Sequence, residues 1–290
     1  MSSSPFLQWL LIHYPSIKSQ SPSQGRRQLK LSVAEKFWAA SQKTLLSTTS
    51  AGTIANPDFV TDGDPFDEVS THGHQLGVIV RTDFSDEAAW LAFCRRLEEG
   101  AREFTTGPLE ESDMPMDPQA DPSMAGHSTA EITAQEDSDG SDDDDDSLNT
   151  IFHVVNPSLP EERALLFNIS NLSALRLFND VDVREAPIPP PGTKRISPRN
   201  KLVDSDGWQE VYVGKNVWIY DAKSNSDECV RVVSQTSSDM YGTATADSWR
   251  ARVSHVCELQ VNLSSGAMKI DFGGLDRWDY AERQRNMQEA

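Results

Sequence analysis

Gly77–Glu103 reads GVIVRTDFSDEAAWLAFCRRLEEGARE, and this stretch decides the fold class. Within Gln75–Phe84, Leu76, Val78, Ile79 and Val80 form an apolar run of strand length. Ser85–Gly100 then reads as a helix. Ser85 is the expected N-cap, and Asp86 and Glu87 fall in the first turn, where carboxylates meet the positive end of the helix dipole. Trp90, Phe93, Cys94 and Leu97 recur at i, i+3, i+4 and i+7, which is one buried helical face. Gly100 is the expected residue just past the helix end.

Further along the chain the same reading finds more elements. Thr150–Val155 (TIFHVV) predicts a buried strand ended by Pro157. Glu161 and Glu162 open a short helix, and Ser173–Asn179 predicts another, with Leu175 and Phe178 on one face. Trp208–Val213 and Val217–Tyr220 flank Gly214-Lys215-Asn216, which predicts a hairpin. Ser226 caps a short helix, Ser248–Val253 is a strand, and Ser254 starts a helix carrying Val256 and Leu259. The order predicts an α+β domain, with helices on one face of a mostly antiparallel sheet and a ferredoxin-like arrangement as the specific guess.

Charge divides the rest. The 290 residues hold 26 Lys and Arg against 45 Asp and Glu, a net charge of −19. Residues 1–55 run the other way, with six basic groups and the single acid Glu35, and read as a basic, Ser-rich disordered or targeting segment. Residues 103–162 hold 17 acids and no Lys or Arg, including the run Asp142–Asp146. Their self-repulsion and few apolar groups predict a disordered acidic insert over 105–148. A Pro-rich basic linker covers 186–206, and 263–290 reads as a polar tail, so 56–262 is taken as one interrupted domain.

These features exclude several functions. There is no apolar run of about 20 residues, so no membrane span is expected. An acidic chain repels phosphate backbones, and no basic, aromatic-laced motif offsets this, so nucleic acid is not an expected partner. G-x-G-x-x-G, G-x-x-x-x-G-K-[ST] and G-x-S-x-G are all absent. Asp271-Phe272-Gly273 copies a kinase triplet without the other kinase motifs, and is read as coincidence.

Cys94, Cys229 and Cys257, with His72, His74 and His255, invite a metal or thiol reading. No C-x-x-C occurs, and on a helix His255 and Cys257 would point about 200° apart, so neither metal nor cofactor is expected. Asn168, Asn171 and Asn262 begin glycosylation sequons that matter only in the secretory pathway.

Gly77–Glu103 resembles the opening signature of an uncharacterised filamentous-fungal protein family: a strand, Arg-Thr-Asp, Ser-Asp-Glu-Ala-Ala-Trp and a helix. Ser248–Leu263 (SWRARVSHVCELQVNL) resembles that family's closing strand and helix. The resemblance implies an α+β fold and a fungal source, and it supplies no catalytic residues. The long acidic insert departs from the pattern.

Two functions are therefore expected. The first is a non-catalytic soluble interaction or accessory protein, meeting a protein partner through the acidic insert or the Pro-rich linker, in the cytoplasm or nucleus. Opposite charge also predicts loose pairing of the insert with Lys194–Lys201. The alternative is an accessory protein or enzyme of fungal specialised metabolism, with a mitochondrial address as the alternative location. Its candidate acid/base groups are His153, beside an apolar strand, and Asp83 or Asp86 at the strand–helix junction.

Overall fold

Val78, Ile79 and Val80 are all fully buried, so their strand has both faces covered. In the computed structural model that strand lies inside a five-stranded sheet. The structure describes residues 5–40, 58–67, 77–106, 151–189, 191–192, 199–233, 245–268, 270 and 279–290.

The elements in chain order are α1 (Pro5–Gln20), α2 (Arg26–Ala39), α3 (Asp58–Thr61), β1 (Gly77–Arg81), α4 (Glu87–Thr106), β2 (Phe152–Val155), α5 (Pro160–Leu166) and α6 (Asn171–Phe178). They continue with β3 (Asp180–Glu185), β4 (Trp208–Val213), β5 (Val217–Tyr220), α7 (Ser224–Asp227), β6 (Cys229–Val233), β7 (Ser248–Arg252), α8 (Val253–Ser264) and α9 (Tyr280–Glu289).

The class is α+β. The main sheet has the order β2-β1-β5-β6-β7, and β3 and β4 form a separate antiparallel pair. β1 runs parallel to β2 and β5, whereas β5–β6 and β6–β7 are antiparallel. The sheet is thus mixed rather than mostly antiparallel, and its order is not the ferredoxin-like one. The reason lies in the crossovers: β1 reaches β2 through α4, which a parallel pair requires.

Helices cover both faces rather than one. On one face Ile79, Trp218, Tyr220, Val230 and Val232 pack with Trp90, Phe93 and Leu97 of α4 and Val256 and Cys257 of α8. Trp90 meets Tyr220 edge-on at 4.8 Å. Gly77 permits this layer, because a Cβ there would press on Gln260 and the Phe152 ring. Gln260 in turn accepts from Trp218 Nε1 at 2.6 Å. On the other face Val78, Val80, Val217 and Ile219 meet Leu172 and Leu175 of α6, with α1 and α2 in the same core.

The N-terminal segment is therefore corrected: residues 5–40 are two core helices. Phe6, Trp9, Leu10, Tyr14 and Ile17 of α1 and Leu29, Val33 and Phe37 of α2 are buried. Their positive charge is matched by acids further along. Arg26 binds Asp67 through two bonds at 2.7 and 2.8 Å, Arg27 binds Asp64 at 2.7 Å, and Lys18 binds Asp62 at 2.7 Å.

The polar tail is corrected too. Residues 280–289 form α9, which docks through polar atoms: Glu282 accepts from Asn171 N at 2.6 Å and Asn286 from Leu172 N at 3.2 Å. These bonds satisfy the first amides of α6, beside the cap that Ser170 places on Ser173 N.

Three smaller expectations also change. β4 and β5 are not a hairpin, because β4 pairs with β3 and β5 with β1. The Gly214 loop passes between sheets, and Asn179 Nδ2 donates to Lys215 O at 3.1 Å across it. Within the linker 186–206, Leu202 and Val203 are buried. α4 runs through Gly100 to Thr106, and Asp86, not Ser85, caps it by accepting from Ala89 N at 2.9 Å. The insert from residue 107, most of Lys194–Lys201, His72, His74 and Asp271-Phe272-Gly273 lie outside the described residues. Among the described residues no helix is long and apolar enough to cross a membrane.

Candidate functional site: a cleft at the edge of the sheet

Among the described residues β2 is an edge strand, and its side chains alternate between the two faces. Phe152 enters the α4 side, while Val155 packs on the α6 side. His153 therefore also faces the α6 side. There it forms, with Val155, the floor of a cleft of about 1230 Å3 that opens to solvent. One wall is α2, with Leu31 and Glu35, together with Phe66; the opposite wall is α5 and α6, with Glu162, Leu165 and Leu177.

The inner end of the cleft is charged. Glu210 of β4 is buried and accepts from Trp38 Nε1 at 2.8 Å and from the Tyr212 hydroxyl in a short bond. Arg176 of α6 donates to Tyr212 Oη at 2.7 Å and lies 3.4 Å from Glu210. Lys201 stands 4.0 Å from the same carboxylate. Burial, and next the Glu210 charge, pushes the Tyr212 hydroxyl well above its ordinary value, against the pull of Arg176. Tyr212 thus stays protonated at neutral pH and cannot serve as a base. Arg176 is held above its ordinary value because Tyr212 and Glu210 outweigh its burial. The cluster ties β4 to α2 and α6.

The structure separates the three acid/base candidates. His153 lines the cleft; Asp83 and Asp86 do not. Asp83 accepts from Ser85 N at 3.1 Å and from Asn225 Nδ2 at 2.9 Å, linking the start of α4 to α7. Burial alone would raise its carboxyl, but the bonds from Ser85 and Asn225 prevail and hold it below its ordinary value. Asp86 is a helix cap. Beside them, at the carboxyl end of β1 where open sheets bind ligands, Arg81 fills the space. Its guanidinium sits 5.1 Å from the Phe84 ring centre and 4.9 Å from that of Trp90, and it pairs with Glu87 at 2.8 Å.

The cysteines are free, and their thiols are all raised by burial: Cys94 and Cys257 to about 11, Cys229 in the same direction. High thiol values disfavour the reactive thiolate. His255 is exposed while Cys257 is buried against α4, so they do not share a face. Among the described residues no group of three or more His, Cys, Asp or Glu could hold a metal ion. Asn171 of the second sequon is buried and donates to Ala246 O at 2.9 Å.

Sequence reasoning missed Glu210, Tyr212 and Arg176. The signal was present in WQEVYV, where alternation sets Glu210 on one face between Trp208 and Tyr212. An acid flanked this way on a buried strand needs partners.

No family model, curated protein or solved structure matches the chain. The fungal resemblance rests on its two segments alone.

Proposed function

We propose that the chain is a non-catalytic binding protein whose cleft receives a segment of a partner protein. One observation carries this reading. The charged groups at the inner end of the cleft are bonded to one another, while its apolar wall is left open, Leu165 being 71% exposed. Satisfied polar groups give a rigid frame, and uncovered apolar side chains give a reason for something to bind.

Peptide display against the full chain tests it. Ten-residue sequences selected on the wild type are expected to lose most of their binding on Leu165→Glu, whose exposed site leaves the fold intact. Selection that is unaffected by Leu165→Glu, or that enriches nothing, would sink the reading.

A second reading, a fungal specialised-metabolism protein that holds a small apolar substrate, is favoured by His153 lining the cleft. Against it stand the open wall and the mixed polar lining, since small-molecule sites enclose most of their ligand. Turnover that disappears in His153→Ala would establish it.

A further inference from the structure

We infer that the cleft takes its occupant as an added β-strand: a basic, extended segment of the partner pairs with the outer edge of β2. This rests on the cleft-binding reading above and names the kind of partner.

The backbone supplies the first argument. Ile151 O accepts from Gly77 N at 3.1 Å, so the backbone groups of Ile151, His153 and Val155 point toward β1. Those of Phe152 and Val154 point outward, and among the described residues none is bonded to them. Exposed edges are normally blunted by charge, by Pro or by a covering element. The opposite edge, β7, carries Arg250 and Arg252. β2 is Phe-His-Val-Val, with no Lys, Arg, Asp, Glu or Pro. It is the edge suited to pairing.

The side chains supply the second. An added strand would place alternate residues into the cleft, against His153, Val155 and the apolar walls, and the others toward the exposed Val154.

Charge supplies the third and chooses the occupant. Glu35 on one wall and Glu162 on the other are exposed and join no ion pair among the described residues. The two cations lining the cleft, Arg176 and Lys201, already face Glu210. A second copy of this chain would bring the same acids against themselves, on a molecule of net charge −19. A segment with Lys or Arg flanking β-branched residues complements both walls.

The test uses the full chain and a synthetic ten-residue peptide of Lys, Arg, Val and Ile, its Glu-for-cation counterpart, and two alternately N-methylated forms of the basic peptide. The basic peptide is expected to bind at least tenfold tighter than the acidic one, with affinity falling as salt rises. One methylation pattern, the one that blocks amides facing β2, is expected to weaken binding at least tenfold, and the other to leave it unchanged. Val154→Pro removes an outward N–H and spares the bonds to β1, so it should weaken the basic peptide by a similar factor. The methylated peptides carry the test on wild-type protein should that variant not fold. Equal loss from both patterns, or from neither, overturns strand addition. Equal binding of the acidic peptide overturns the basic occupant; either failure leaves the cleft reading standing if Leu165→Glu still abolishes binding. Dimerisation of the chain that Val154→Pro abolishes would overturn the proposal in favour of a second copy. No binding by any of these peptides would overturn this inference, while the cleft reading stands or falls separately by the display selection.

Discussion

The two faces of the main sheet are built by different physics. The α4–α8 face is closed by elements joined directly to its strands: α4 follows β1 and α8 follows β7. Its cement is aromatic and aliphatic, with Phe93 5.0 Å from Tyr220 and Phe152 6.0 Å from Trp218. The α6 face is completed from far away, by α1 and α2 from one end of the sequence and by α9 from the other. Much of that attachment is polar: Arg27 to Asp64, Trp38 to Glu210, Glu282 and Asn286 to the first amides of α6. A face closed by neighbours can rely on non-directional burial. A face closed by distant segments needs bonds that select one arrangement among many.

The sharpest way to break this contrast compares one residue from each face. Trp90→Ala leaves a cavity under α4 and is expected to cost about 3–5 kcal/mol. Asp64→Ala leaves the buried Arg27 guanidinium without its nearest carboxylate and is also expected to cost about 3–5 kcal/mol. Urea titrations measure both. The difference lies in rescue: replacing Arg27 and Asp64 together by Met and Leu should recover most of the loss, whereas the volume lost in Trp90→Ala, and the ring face it offers Arg81, return only with another large aromatic. A double variant as unstable as Asp64→Ala would show that the pair acts through geometry alone.

The next effect is pH-dependent and belongs to the α6 face. Burial raises the Asp247 carboxyl to about 6, against the pull of Arg283 of α9 at 3.5 Å. An acid raised on folding holds a proton that the unfolded chain has released, so its contribution to stability falls as pH climbs from roughly 4 to 6 and stays flat above. Asp247→Asn removes that loss. The variant should match wild type near pH 4 and exceed it by about 3 kcal/mol at neutral pH. Thermal melts across that range check it; a constant difference would refute it.

The smallest effect is local. Asn286 accepts from Leu172 N and donates to Thr245 O at 3.1 Å and Ala246 O at 3.0 Å. Asn286→Ala should cost about 1–2 kcal/mol. Hydrogen exchange should then quicken in α9 and at Leu172 while α4 keeps its protection. Equal quickening in α4 would mean that the two faces unfold as one.

The same contrast explains what could be read in advance. β1 and α4 were legible because Trp90, Phe93 and Leu97 recur at helical spacing, and burial writes that spacing into sequence. α2 was not. RRQLKLSVAEKFWA carries Leu29, Val33 and Phe37, but its arginines suggested a solvated segment, and Asp64 and Asp67 lie about forty residues away. α9 was less legible still, since its buried residues are Glu282 and Asn286. The sheet's direction escaped for another reason: the Gly214 loop has a hairpin's composition, and only the Asn179 side chain above it shows that the chain is changing sheets. Among the residues lining the cleft, His153 had been named, as an acid/base candidate of the alternative function, while the Glu210 cluster depends on residues from α2, α6 and β4 that no local pattern joins.

Trp38 and Glu210 are 172 positions apart. At a synthesis rate of about 5–20 residues per second, α2 leaves the ribosome roughly 10–30 s before its glutamate does. Through that interval the apolar sides of α1 and α2 have no sheet to cover. The ion pairs of Arg26 and Arg27 with Asp67 and Asp64 are available much sooner, within a few seconds at that rate. They can hold the two helices and α3 as an early unit, and so shelter Phe6, Trp9 and Phe37 from neighbouring nascent chains until the sheet arrives.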